Sequence, residues 1–186
     1  MEILSLLESM RRMPDCDVRA PAGLPTIRPH HLLPDDVRAF YRACSGFTWS
    51  LYVASRFWDS FSVLAPDRVV LANPMVCCIS EEELRTMGFD DDEISWDWYV
   101  IAADGNGDYM SIDLGPGRLG RCYDSFHETH ALRGQTPILG LSFTEFLTRI
   151  VARIEGTRHS NWNWVEGGLG TMSLGDAYDQ SGLNSR

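Results

Sequence analysis

The sequence predicts a single α+β domain in which a mixed, mainly antiparallel sheet packs with helices. Three observations carry that expectation. Two segments, LLPDDVRAFYRACSG at 32–46 and SFTEFLTRIVARIEG at 142–156, combine helix start signals with an apolar stripe. Between them, Tyr99 to Glu128 reads as two strands joined by a tight Gly/Asn/Asp turn, then a Gly-rich loop and a third strand carrying Cys122 and Tyr123. The elements run helix, strands, short helix, hairpin, strand, helix without an internal repeat, and 186 residues suffice for one proper core.

Taken in order, residues 1–13 suggest a helix with Ile3, Leu6, Leu7 and Met10 on one face. Residues 14–33, rich in Pro, Arg and His, read as an irregular lead-in. In the helix over 32–46, Pro34 stands near the start, Asp35 and Asp36 occupy the first turn and Gly46 ends it, with Val37, Phe40, Tyr41 and Cys44 on one face. Phe47 to Phe61 fits strand and turn. Ser62 to Cys78 reads as one or two further strands, which puts the side chains of Cys77 and Cys78 on opposite faces. A short helix over 80–89 starts on Ser80, with Glu83 completing a capping box and Gly88 as terminator. The last helix takes Ser142 as N-cap and Glu145 three residues on, and turns Phe146, Leu147, Ile150, Val151 and Ile154 inward. Residues 157–186 form a Trp/Gly/Ser-rich extension that either docks through Trp162 and Trp164 or stays mobile, leaving 1–156 as the domain.

Composition narrows the function classes. A hydrophobic content of 44 %, with 8 Phe, 6 Trp and 6 Tyr, is that of a folded globular chain. No run approaches the ~20 apolar residues of a membrane span. The acidic N-terminal stretch lacks the charge pattern of a secretory signal, so a cytoplasmic location is expected. Five cysteines without a CxxC give neither a disulfide framework nor a zinc ribbon. The formal net charge of -10 is concentrated in one window. From Glu81 to Asp113 there are 11 acids and one base, Arg85, while the remaining acids and arginines balance. A neutral body with one acidic segment suits a basic partner surface and argues against direct nucleic-acid binding.

No catalytic, cofactor or metal constellation emerges. Asp104, Asn106 and Asp108 begin like a calcium loop, but Tyr109 stands where the glycine is needed and Gly115 where the bidentate Glu belongs. A turn in which Gly105 and Gly107 accept positive φ accounts for them more simply. His127 and His130 lack a third ligand, and Asp124, Ser125 and His127 lack a nucleophile elbow. Gly115, Gly117 and Gly120 are interrupted by Pro116 and precede no helix. In the acidic window, Asp90, Asp91, Asp92 and Glu93 precede Trp96, Asp97 and Trp98. On a strand, Trp96 and Trp98 would share one face and Asp97 and Tyr99 the other. Either the tryptophans are core and the acids a solvated turn, or carboxylates steer a cationic partner and aromatics anchor it.

The opening LLPDDVRAFYRACSG, the block IAADGNGDYMSIDLGPGRLGRCYDSFHE and the closing SFTEFLTRIV resemble, in that order, the motifs of the SUKH (SMI1/KNR4-like) superfamily over 32–154. Ser45 departs from the usual Asn before Gly46, and the extension after Gly156 lies outside the pattern. The resemblance implies a non-catalytic α+β domain without cofactor. Bacterial members mostly neutralise polymorphic toxin domains, and fungal relatives serve as interaction scaffolds. The expected partner is therefore a cognate toxin domain with a basic surface, such as a nuclease. Asp90, Asp91, Asp92, Glu93, Trp96, Asp97, Trp98, Asp104 and Asp108 are the expected contact residues. The alternatives are an intracellular interaction or regulatory module and, remotely, a metal-dependent hydrolase. The sequence leaves the oligomeric state open.

Overall fold

The computed structural model describes residues 2–53, 56–88 and 93–156, for 51–59 and 155–156 the backbone alone. It holds a seven-stranded sheet in which every neighbouring pair is antiparallel and the spatial order follows the chain, β1 to β7. The strands are β1 (Cys16–Val18), β2 (Phe47–Val53), β3 (Arg56–Val63), β4 (Trp98–Asp104), β5 (Tyr109–Asp113), β6 (Cys122–Ser125) and β7 (Ile138–Gly140). The helices are α1 (Ile3–Met10), α2 (Asp35–Ala43), α3 (Ala72–Cys77), α4 (Glu81–Thr86) and α5 (Phe143–Gly156), with 3-10 turns at Pro66–Arg68 and Ile94–Asp97. The α+β expectation with a mainly antiparallel sheet is met.

The predicted apolar faces form the core. Ile3, Leu6, Leu7 and Met10 of α1 are buried, as are Val37, Phe40 and Tyr41 of α2 and Phe143, Phe146, Leu147, Ile150, Val151 and Ile154 of α5. These three helices pack on one another. Edge-to-face contact between Phe40 and Phe143 (5.2 Å) fixes α2 against α5, and Phe61 meets Phe146 at 6.2 Å. Asp36 ties the same pair together. Its Oδ2 accepts from the backbone N–H (2.8 Å) and hydroxyl (2.9 Å) of Thr144, so the first turn of α2 serves the start of α5. At that start the Glu145 backbone donates to Ser142 Oγ (3.1 Å), while Glu145 reaches back to the N–H of Leu141 (2.9 Å).

Trp98 to Ala102 of β4 are all buried, so both faces of this strand are covered. Helix α3 packs on β4 and on the 3-10 turn before it. That helix corrects the expectation of further strands between Ser62 and Cys78: β3 ends at Val63 and the chain then turns helical. Pro74 sits in the first turn of α3, where a missing N–H costs nothing. Cys77 ends the helix and Cys78 takes the left-handed conformation, φ 57°, so the two thiols do not alternate across a strand. Residues 96–97 are likewise not strand but the end of a 3-10 turn. Strands β1 and β7, each three residues long, add to the expected set. The extension 157–186 lies outside the described residues.

Candidate partner-binding surface

The acidic residues divide between the two ends of β4, which at ~3.3 Å per residue lie roughly 20 Å apart. At the first end stand α4 and the 3-10 turn Ile94–Asp97. Helix α4 is short, and its capping box holds it: Ser80 Oγ accepts from the Glu83 N–H (3.2 Å), and Glu83 accepts from the Ser80 N–H (2.8 Å). These hydrogen bonds lower the Glu83 pKa. Glu82, Glu83 and Met87 project outward, Met87 with 73 % exposure. Glu81 pairs with Arg28 and, at 3.7 Å, with Arg85. Arg85 in turn lies over the ring of Trp96, 4.5 Å from its centroid.

Asp97 is held from two sides, by His31 Nε2 at 3.0 Å and Arg118 Nη2 at 3.3 Å. Arg118 also donates from Nε to Asp113 (2.8 Å), a buried carboxylate that accepts from Trp98 Nε1 (2.9 Å) and the Gly115 N–H (2.7 Å). Burial raises the Asp113 pKa to about 6, against the opposing pull of Arg118 and the hydrogen bonds. Trp98 stacks on Tyr123 with centroids 4.0 Å apart and meets His130 edge-on. Burial lowers the His130 pKa to about 4, and its Nε2 lies 2.9 Å from Asn73 Oδ1. Glu93 is partly buried, 3.8 Å from Arg133.

At the far end, Asp104 Oδ1 accepts from the N–H groups of Asn106 and Asp108, both at 2.9 Å, which shapes the β4–β5 turn. Gly107 has φ 96° there. Asp108 accepts from the His127 backbone (3.3 Å) and meets His127 Nδ1 at 2.8 Å, which raises the His127 pKa. Between this turn and α3 lies a cavity of about 430 Å³ bordered by Met75, Cys78, Asp108 and His127. Asp124 lies on β6 beside Ser125, which borders the cavity. Burial first, then the charges of Asp108 and Asp104, raise its pKa from 3.8 to about 6.

A raised carboxyl pKa means that the folded state holds the proton more tightly than the unfolded chain. The stability linked to Asp124 is therefore complete at low pH and falls between about 4 and about 6. Asp124→Asn keeps the acceptor for the Phe126 N–H (3.1 Å) and removes the charge. The variant is expected to be more stable than the parent by ~1–2 kcal/mol at pH 7, with the gap closing at pH 4. His130, whose linkage has the opposite sign, is common to both proteins and cancels. Urea titrations at the two pH values check this; a variant no more stable at pH 7 contradicts it.

The structure thus places the expected contact residues unequally. Asp104 and Asp108 come together in one turn, Glu93 and Asp97 lie near α4, and Asp90, Asp91 and Asp92 lie outside the described residues. Trp98 is fully buried and Trp96 nearly so, which favours the core alternative for both. Sequence reasoning missed His30, His31, Arg28 and Arg118, which surround Asp97 or its neighbours. The adjacent histidines in an irregular segment were the only local signal. Among the described residues no helix is long and apolar enough to cross a membrane.

The family description "SMI1 / KNR4 family (SUKH-1)" matches residues 30–149. The chain belongs to this family. The SMI1 / KNR4 match spans the opening helix, the β4–β6 block and the first half of α5, the three places where the resemblance lay. The chain is also similar to Immunity protein YokJ of Bacillus subtilis (strain 168), 34 % identical over 179 residues, covering 96 % of this chain and 97 % of that protein. No solved structure matches the chain.

Proposed function

We propose that this chain is an immunity protein that binds a cognate toxin domain one to one and neutralises it without chemistry of its own. The end-to-end similarity to an immunity protein carries this reading. The α4 end and the β4–β5 turn form the acidic part of the contact surface, and the toxin presents a basic face such as a nuclease uses for phosphates. A standard interface of ~800 Å² per partner is roughly 30 Å across, so one toxin domain can reach both ends of β4. Trp98 supports the surface from the core, and Met87 offers an exposed apolar anchor beside Glu82 and Glu83. Asp97, Glu93 and Asp108 are paired with Arg118, Arg133 and His127, so steering falls chiefly to Asp90, Asp91, Asp92 and Asp104.

Exposed charges act chiefly on the association rate. Changing Asp90, Asp91 and Asp92 together to Asn is expected to slow association with the toxin domain about tenfold at low salt and to flatten its salt dependence. Stopped-flow mixing of the chain with its cognate toxin domain measures both. Unchanged rates would remove this segment from the surface. Tight binding to an unrelated protein, with toxin activity untouched, would instead place the chain among regulatory interaction modules.

A further inference from the structure

We propose that His30, His31 and Asp97 form a binding site for a divalent transition-metal ion of the zinc class. One ring nitrogen from each histidine and one carboxylate oxygen lie within 4.8 Å of one another. Imidazole and carboxylate are the donors that zinc takes with a fourth position left open. Ligands with bonds of about 2.0–2.1 Å in a tetrahedral site stand roughly 3.3 Å apart. His31 Nε2 and Asp97 Oδ1 stand 3.0 Å apart, already near that spacing. His30 is exposed, and its ring can swing the remaining distance without disturbing the core.

The groups behind these three atoms are what separate the cluster from a chance meeting. The buried ring of His31 has its Nδ1 2.9 Å from the Tyr99 hydroxyl, an oxygen that also accepts from the Arg28 N–H (3.0 Å). In the metal-free chain Nε2–H donates to Asp97 Oδ1, while the Tyr99 hydroxyl donates to Nδ1. On metal binding the ring proton moves to Nδ1, where the Tyr99 oxygen accepts it and Nε2 is freed for the ion. In that tautomer the Tyr99 oxygen is the outer hydrogen-bond partner that a ligating histidine uses. Asp97 is oriented by Arg118 through its other oxygen, and Arg118 is anchored by Asp113. The turn that presents the histidines is closed by the His31 N–H donating to the Arg28 carbonyl (3.0 Å), and Arg28 is tied to Glu81 of α4. Two of the three donors are therefore held in place, Asp97 on the 3-10 turn and the buried His31 ring beside Tyr99, and the third closes from solvent.

Full-length, tag-free protein stripped with chelator is titrated with zinc chloride by calorimetry, and with cobalt(II) followed by visible absorption. The expected result is saturable one-to-one binding, with cobalt d–d bands of a nitrogen/oxygen site and no thiolate charge transfer. His30→Ala should leave the metal-free melting temperature unchanged and weaken zinc binding about tenfold or more. Asp97→Asn should weaken it comparably, within the ~10–100-fold range of disturbed metal sites. The proposal is overturned by the absence of saturable binding, by parental affinity in His30→Ala, or by a thiolate band that assigns the metal to the cysteines. The measurement uses the chain alone, so its outcome is independent of toxin binding.

Discussion

Asp113→Ala is expected to destabilise the protein by ~3–5 kcal/mol at neutral pH, the cost of leaving a buried ion pair half made. Asp113 is fully buried and closes β5, where it meets three donors: the Trp98 indole, the Gly115 backbone and Arg118 Nε. Alanine strands all three at once, and Arg118 retains only the 3.3 Å contact with Asp97. The packing admits no easy substitute. A Cβ on Gly115 would come within 2.4 Å of Asp97 Oδ2 and 2.6 Å of Arg118 Nη2, so the glycine is what lets the network close. Asp113→Asn keeps an acceptor oxygen and the shape, and should lose less than half as much. For a domain of this size the alanine variant should melt roughly 10 °C or more below the parent. A loss under 1 kcal/mol in urea titration would show that Asp113 is not the hub described here.

Gly46→Ala is the second large effect, with an expected loss of ~3–4 kcal/mol. Gly46 ends the α2 connection just before β2 and has φ 99°, a conformation that disfavours any side chain. Space is short as well. An added Cβ would lie 2.3 Å from the Val63 carbonyl oxygen and 2.9 Å from that of Leu64, both backbone atoms of the neighbouring chain segment, and 2.5 Å from Arg19 Nη2. Arg19 donates from that nitrogen to Val63 O (2.8 Å) and its backbone bonds Gly46 O (3.1 Å), so moving either partner breaks the seam between the lead-in and β3. Equilibrium unfolding of the variant tests this, and a change below 1 kcal/mol contradicts it. By contrast, a Cβ added to Gly88, at φ 94°, would meet nothing within 4 Å, so only its backbone conformation speaks for glycine there.

How much the sequence disclosed depends on how local each signal was. Helices α1, α2 and α5 carry periodic apolar stripes within their own residues, and the predicted faces are the buried ones; α4 is marked instead by its capping box. The β4–β5 hairpin announced itself through Asp104, Gly105, Asn106, Gly107 and Asp108. Helix α3 did not, because LANPMVC is a short apolar run with no helical period, and packing on β4 decides its state. Strands β1 and β7 are too short to show alternation. In the candidate site the acids were visible and their neutralising partners were not. His31 reaches Asp97 across 66 positions, and Arg118 returns to it across 21. The same limit applies to Trp98: spacing placed it beside the acids, whereas its stacking on Tyr123 arises only when β4, β5 and β6 assemble.

Neutralisation itself is the most direct test of the immunity role. A candidate cognate toxin domain is assayed for its own activity while purified chain is added in increments. The reading predicts that activity falls linearly to zero at one equivalent, and that calorimetry of the same pair gives one-to-one binding. Full toxin activity in the presence of excess chain would contradict it.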